Sequence, residues 1–169
     1  MKKQRILSAV MALLLFVSCS KKNAENFNSD YSLFKDYILN YSPSIISSSD
    51  DIRVVLAFDN QDWNENKELD QNLFKINPSI KGKVVALSSN TVAFIPTEKL
   101  NQNTSYQVSF QLGELKQVDK KLKEFNFTVK TIKQDFMVSV IDLQSYSKDF
   151  QYINGVLNTS DNLDFETAK

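Results

Sequence analysis

The feature that most constrains the fold is a regular alternation of apolar and polar residues in short segments between positions 52 and 129. The clearest segment has an apolar side chain at every second position, at Tyr106, Val108, Phe110 and Leu112. Successive side chains of a strand point to opposite faces, so this spacing predicts strands with one face in a core. The other predicted strands cover residues 52–58, 73–76, 83–87, 91–95 and 125–129. About six or seven strands in this length favour an all-β fold, an Ig-like antiparallel β-sandwich over residues 43–131.

The residues between these strands are typical of turns. Residues 88–90 predict a hairpin turn, and residues 114–123 predict a longer, solvated connection. Pro78 and Pro96 are expected to end strands because proline has no N–H to donate, and Gly82 is expected to supply a backbone angle that larger residues avoid. Three apolar residues are expected to pin the longer connection to the core: Leu115, Val118 and Leu122.

Tyr106 opens its strand directly after the loop of residues 100–105. This placement resembles the tyrosine corner of Greek-key sandwiches, in which the phenol hydroxyl bonds to the upstream backbone. The simpler alternative is that Tyr106 is only the first core aromatic of its strand.

The N-terminus predicts a secretory signal. Lys2, Lys3 and Arg5 precede a mainly apolar run over residues 6–17, which is too short to cross a bilayer as a helix. The run ends at Phe16-Val17-Ser18-Cys19, which resembles the lipobox of bacterial lipoproteins. Residues 1–18 are therefore predicted to be a signal peptide and Cys19 to be lipidated, with two or more acyl chains giving a stable anchor. The alternative is an incidental thiol at Cys19.

Residues 19–42 are predicted to form a tether and a short amphipathic helix. The stretch from Ser20 to Asn28 is too polar to bury a core, which is typical of a flexible tether. Farther along, four apolar residues recur with helical spacing and Pro43 ends the segment: Phe34, Tyr37, Ile38 and Tyr41. Such a helix either docks on a partner or lies on its own domain.

Composition excludes several classes of function. The chain has no His and one Cys, so it lacks the usual general base near neutral pH and cannot form an internal disulfide or a thiolate metal cage. Its 20 basic residues balance 20 acidic ones, so no basic surface for nucleic acid is indicated. We therefore predict a protein that is not an enzyme, has no cofactor or metal, and does not bind nucleic acid.

One acidic loop, residues 59–70, is rich in oxygen ligands and is a candidate calcium site. Counted from Asp62, Lys67 stands where the loop needs Gly and Leu73 where it needs Glu, so a solvated loop is the better interpretation. Trp63 in this loop is a candidate for stacking on a glycan or a partner, and its alternative role is to cover the edge of the sandwich.

Three ordered motifs resemble the leading domain of bacterial alpha-macroglobulins. They are the Pro-x-x-x-Gly turn from Pro78 to Gly82, the Phe-x-Pro that ends at Pro96, and the Leu-x-x-x-Thr-x-Tyr corner that ends at Tyr106. The resemblance spans most of residues 43–131 and implies a bacterial Ig-like fold. It also implies that the full-length protein is a protease-trapping inhibitor, cleaved by the attacking protease and then closing round it.

Residues 132–169 are expected to begin a second β-domain that is not completed here. Residues 136–143 and 152–157 have strand composition, and the run that ends in Thr159-Ser160-Asp161 resembles the opening of the macroglobulin domain that follows in the same family. The function indicated is an anchor and spacer in the bacterial envelope, facing the periplasm rather than the cell surface, with target proteases as partners of the missing domains. The alternative is an Ig-like accessory lipoprotein that binds a glycan or a protein.

Overall fold

Strand-forming segments recur throughout the part of the chain that the computed structural model describes, residues 27–145 and 151–163. The predicted signal peptide, Cys19 and most of the predicted tether lie outside these residues. The strands, in chain order, are β1 Ile38–Tyr41, β2 Ile45–Ile46, β3 Ile52–Leu56, β4 Lys67–Glu68, β5 Phe74–Asn77, β6 Gly82–Ala86, β7 Thr91–Pro96, β8 Ser105–Phe110, β9 Phe125–Thr131, β10 Phe136–Ser145 and β11 Gln151–Thr159. Short 3₁₀ turns occupy Tyr31–Leu33, Gln71–Leu73, Leu112–Glu114 and Lys120–Leu122.

The first nine strands make two sheets. One sheet has the order β1-β3-β7-β6-β4, and the other has the order β2-β9-β8-β5. Neighbouring strands are antiparallel except for β2, which runs parallel to β9. The all-β, sandwich-type fold expected from the alternation is confirmed, and so are the six predicted strand segments.

The core lies between these sheets. Along β8 and β9 every second side chain is buried, because the pleat sends alternate residues inward. Each Val, Leu or Phe taken fully out of water contributes about 1.5–3 kcal/mol, so the core supplies most of the stability. The largest fully buried side chains are Tyr106, Phe110, Phe125, Ile38, Ile52, Leu56, Leu112, Val54, Val84, Val92, Val108 and Val129.

The long connection before β9 also follows the expectation. Leu122 is buried, and Leu115 and Val118 are half-buried against the core. The turn at residues 88–90 joins β6 to β7 as predicted.

The predicted amphipathic helix is wrong. Only Tyr31–Leu33 is helical, as a 3₁₀ turn, and Ile38–Tyr41 is an edge strand paired with β3. A register shift between Ile38 and Asn40 is the physical reason, because a bulge changes the alternation of side chains. Ile38 and Tyr41 thereby both pack on the core despite a spacing of three, which is also the spacing of a helix. The sandwich consequently begins before residue 43.

Strands β10 and β11 form a separate antiparallel hairpin. With its one bulge between Val140 and Asp142, the register places most of the large apolar side chains on one face. These side chains are 45–70% exposed, so no layer within the described residues covers them. The face consists of Phe136, Val138, Val140, Leu143, Ile153 and Leu157.

Candidate functional site

The tether reaches the sandwich at the start of β9. Ser29 N–H donates to the carbonyl of Asn126 at 2.8 Å, and Asn126 N–H donates to Ser29 Oγ at 2.9 Å. Thr128 Oγ1 donates to Asn28 Oδ1 at 2.8 Å. These three bonds fix Asn28 and Ser29, where the predicted tether ends, to β9.

An aromatic cluster holds the next few residues on the core. The Phe34 and Tyr41 rings each lie 5.0 Å from the Phe125 ring, centroid to centroid, and the Tyr41 ring lies 5.1 Å from that of Phe127. Tyr31 packs on the same rings, and its hydroxyl donates to the carbonyl of Leu39 at 2.9 Å. Each tilted aromatic pair of this kind stabilises the fold by about 0.5–1.5 kcal/mol beyond the contribution of its buried area. The cluster therefore holds residues 31–41 firmly on the core.

Tyr106 makes the predicted corner. The backbone N–H of Asn101 donates to the Tyr106 hydroxyl at 3.0 Å, which joins the start of β8 to the loop five residues upstream. At the same end of the sheet, Thr131 Oγ1 donates to the Asn101 carbonyl at 2.6 Å and accepts from Thr104 N–H at 3.0 Å. The loop after β7 and the end of β9 therefore form one connected block.

The hairpin leaves the sandwich from this block. Four residues, 132–135, connect β9 to β10, and Ile132 N–H donates to the carbonyl of Ile46 at 3.0 Å. Tether and hairpin consequently attach at opposite ends of β9. Seven residues of strand separate the two ends, a length of about 20 Å at 3.3 Å per residue.

A buried carboxylate closes the base of the hairpin. Asp161 is 7% exposed, and its Oδ2 accepts from both the backbone N–H of Ser48, at 2.9 Å, and Ser48 Oγ, at 2.8 Å. Burial by itself raises the pKa of Asp161, but hydrogen bonds from Ser47, Ser48 and Asn162 outweigh it and lower the pKa to about 2. Asp161 is ionised at neutral pH and joins parts of the chain 113 residues apart.

Trp63 lies in the core rather than on the surface. Its residue exposure is 9%, and it belongs to the same buried cluster as Leu73 and Leu56. The indole therefore covers the edge of the sandwich and presents no exposed platform for stacking. In the same loop, Lys67 Nζ donates to the carbonyl of Asp62 at 2.6 Å, so the lysine occupies the candidate calcium loop itself.

Pro78, Pro96 and Gly82 have structural roles. Pro78 follows the last residue of β5, and Pro96 ends β7. The expected reason for Gly82 is wrong, because none of the described glycines has a positive φ. The reason is space: a Cβ at residue 82 would lie 2.4 Å from Cζ of Phe94 and 2.6 Å from the carbonyl oxygen of Ile95.

An open groove of about 620 Å³ lies between β1, β3 and the turn that follows β2. Its charged groups already have partners within the chain. Arg53 holds Asp51 with both Nε, at 3.0 Å, and Nη2, at 2.6 Å, and Asp50 accepts from the backbone N–H of Ser47 at 2.8 Å. Each of the three charged groups that line the groove is thus engaged within the chain.

Two further observations concern the described residues only. Within residues 27–145 and 151–163, no helix has the length and apolar character needed to cross a bilayer. The same residues contain no group of three or more His, Cys, Asp or Glu side chains placed to hold a metal ion.

Comparisons with known proteins give fold-level likeness at most. No protein-family model matches the chain, and no curated protein is significantly similar to it. Among solved structures, the chain is similar to L,D-transpeptidase 3 from Mycobacterium tuberculosis, crystallised with a faropenem-derived adduct. Sequence identity is 11% and the TM-score 0.40, and the match covers 59% of this chain. The match covers only 39% of the transpeptidase chain, and a likeness this weak establishes no activity here.

The sequence located some of these residues and missed others. It predicts the Tyr106 corner, and it contains Asp161 only as the last residue of the family-like run Thr159-Ser160-Asp161. It carries no signal for Ser48 or for Ser29. Single polar residues that meet across a fold carry no periodic signal, so alternation could not find them.

Proposed function

We propose that this chain is the N-terminal anchor and spacer region of a bacterial envelope lipoprotein. The observation that carries this proposal is the attachment of the tether and of the hairpin at opposite ends of β9. A sandwich connected in this way keeps whatever follows it on the side away from the surface to which the tether is bound. Nothing in that role needs a catalytic group.

A lipid at Cys19 fits this geometry. The polar segment from Ser20 to Asn28 reaches at most about 30 Å when fully extended, and its last residue, Asn28, bonds to β9, as does Ser29 directly after it. The sandwich would then stand close to the bilayer, with the hairpin on its far side, facing the periplasm.

The hairpin would be the opening of a second, macroglobulin-like β-domain. Its apolar face is exposed, and two-stranded hairpins are marginal in water without a further layer. Following the alpha-macroglobulin resemblance, the full-length protein would be a protease-trapping inhibitor, and this region would supply its anchor. The accessory-lipoprotein alternative relied on an exposed Trp63, and the buried indole gives it no support.

Lipid attachment can be tested by metabolic labelling with radioactive palmitate in a Gram-negative host. We expect label in the parent chain and in the matched control Ser20→Ala, and none in Cys19→Ala, which should leave the membrane fraction. Equal label and equal membrane association in Cys19→Ala would refute the anchor.

The inhibitory role needs a separate test on the protein encoded by the complete reading frame. A trap that encloses a protease should block cleavage of a large substrate such as casein while leaving cleavage of a small chromogenic peptide nearly intact. Equal inhibition of both substrates, or of neither, would contradict trapping. A reading frame that ends at Lys169 would remove the inhibitor proposal and leave the anchor untouched.

A further inference from the structure

Asp161 differs in burial from the described residues of β10 and β11. The apolar residues of the hairpin are largely exposed, whereas Asp161, two residues after β11 ends, is buried against the sandwich. A carboxylate is costly to bury unless hydrogen bonds replace its water. Here its two oxygens accept from Ser48 and from the backbone N–H of Asn162, the latter at 2.8 Å to Oδ1.

The receiving surface is the turn Ser47–Asp50, called here the serine turn. It is held in shape by its own bonds: Ser47 N–H donates to Asp50 Oδ2 at 2.8 Å, and Ser49 N–H donates to Ser47 Oγ at 3.1 Å. The carbonyl of Ser48 accepts from Leu100 N–H at 2.8 Å, which fixes the turn to the block around Tyr106. With the turn fixed, the N–H and hydroxyl of Ser48 are directed together at one acceptor, Asp161.

A second set of bonds ties the two ends of the hairpin region together beside this contact. Ser160 Oγ donates to the carbonyl of Lys133 at 2.8 Å and accepts from Asp135 N–H at 2.7 Å. Asp161 N–H donates to Gln134 Oε1 at 2.9 Å. The segments that enter and leave the hairpin therefore form one unit, and Asp161 bonds that unit to the serine turn.

We propose that the Asp161 carboxylate and the serine turn form a rigid joint that fixes the direction of the hairpin relative to the sandwich. Without this joint the connection is a four-residue linker, and modules joined by a short linker without a large apolar interface move relative to one another. With it, the hairpin is held at two points, through the linker after β9 and through Asp161.

A spacer with this joint determines the direction of the hairpin relative to the sandwich as well as the distance between them. This use of the joint rests on the proposed spacer function, but the joint itself does not require a lipid or a protease. The low pKa of Asp161 agrees with a carboxylate that is held charged by its donors.

Pulsed electron paramagnetic resonance can measure the joint in the full-length chain carrying Cys19→Ser. Spin labels at Gln107→Cys, on the exposed side of β8, and at Asn158→Cys, on β11, report the distance between the two units. We expect one narrow distance distribution for the parent. In Asp161→Asn it should become at least about twofold broader, because the hairpin then samples more orientations. Ser48→Ala should give an intermediate width, since the backbone N–H of residue 48 remains.

Matched controls separate the joint from folding and from charge. Asp119→Asn removes one exposed carboxylate of the same type and should leave the distribution unchanged. The chain has one Trp, so fluorescence of the buried Trp63 reports whether the sandwich is intact in each variant. A distribution for Asp161→Asn as narrow as the parent's, with the sandwich folded, would overturn the joint. A parent distribution that is already broad would overturn it too. Neither outcome bears on palmitate labelling at Cys19, so the two proposals fail independently.

Discussion

The sandwich and the hairpin are built from the same kind of sequence and end in different environments. Val108 in β8 is fully buried, whereas Val138 in β10 is 63% exposed, although both lie in well-paired antiparallel strands. Alternation and β-branched residues are therefore enough to pair strands. Stability requires a second layer as well, because most of the free energy comes from taking apolar surface out of water.

Truncating one phenylalanine in each region should give the largest contrast. Phe125→Ala empties a fully buried site in the aromatic cluster and should lower the free energy of unfolding by about 3–5 kcal/mol. Phe136→Ala, at a position that is 70% exposed, should change it by no more than about 0.5 kcal/mol. Urea unfolding followed by Trp63 fluorescence measures both. Equal losses would mean that the hairpin is covered in solution.

Adding a single methyl group at a glycine tests how tightly the sandwich is packed. Gly82→Ala places a Cβ against both the Phe94 ring and a backbone oxygen that cannot easily move, so a loss of about 1–3 kcal/mol is expected. Gly113→Ala is the matched control, since its nearest neighbour is the flexible side chain of Lys123, at 3.0 Å. Thermal unfolding of the two variants should rank them in this order. An unchanged melting temperature for Gly82→Ala would contradict the close approach.

The tyrosine corner should contribute less than the core. Tyr106→Phe leaves the ring in place and removes the acceptor of the Asn101 N–H, so stability should fall by about 1–2 kcal/mol. Tyr37→Phe makes the same chemical change on a half-buried tyrosine outside the corner and should have a smaller effect. If the two variants unfold at the same urea concentration, the corner bond contributes nothing measurable.

Loss of the hairpin joint should have the smallest effect on the free energy of unfolding, and the contribution of the joint should depend on pH. The pKa of Asp161 is lowered by folding, from an ordinary value of 3.8 to about 2, so its contribution is fully present above pH 4. That contribution should be lost as the pH falls from 4 towards 2, because the protonated acid accepts hydrogen bonds less well. The spin-label distribution of the parent should broaden only as the pH approaches 2, where the carboxylate of the folded chain becomes protonated, and the distribution of Asp161→Asn should stay constant. An unchanged parent distribution down to pH 2 would count against an ionised joint.

The sequence predicted the parts of the fold that repeat. β3, β5, β6, β7, β8 and β9 follow from alternation, and the corner follows from one tyrosine at the start of a strand. β2 and β4 are two residues long, which is too short for any periodic pattern to register. The sequence of β1 predicts a helix because its bulge produces a spacing that strands and helices share.

The candidate site was predictable only in part. Covalent chemistry at Cys19 depends on a local motif and can be proposed from the sequence, whereas the Asp161–Ser48 contact depends on where two distant turns meet. Gly82 shows an intermediate case. The sequence marks this glycine as a special position, but the reason for it is the nearby Phe94 ring, which only the packed structure reveals.

The attachment of the tether and the hairpin at opposite ends of β9 also determines how the molecule would respond to mechanical load. Under the proposed spacer role, a pull between these two ends would run along β9, so several hydrogen bonds between neighbouring strands would carry the load at the same time instead of opening one after another.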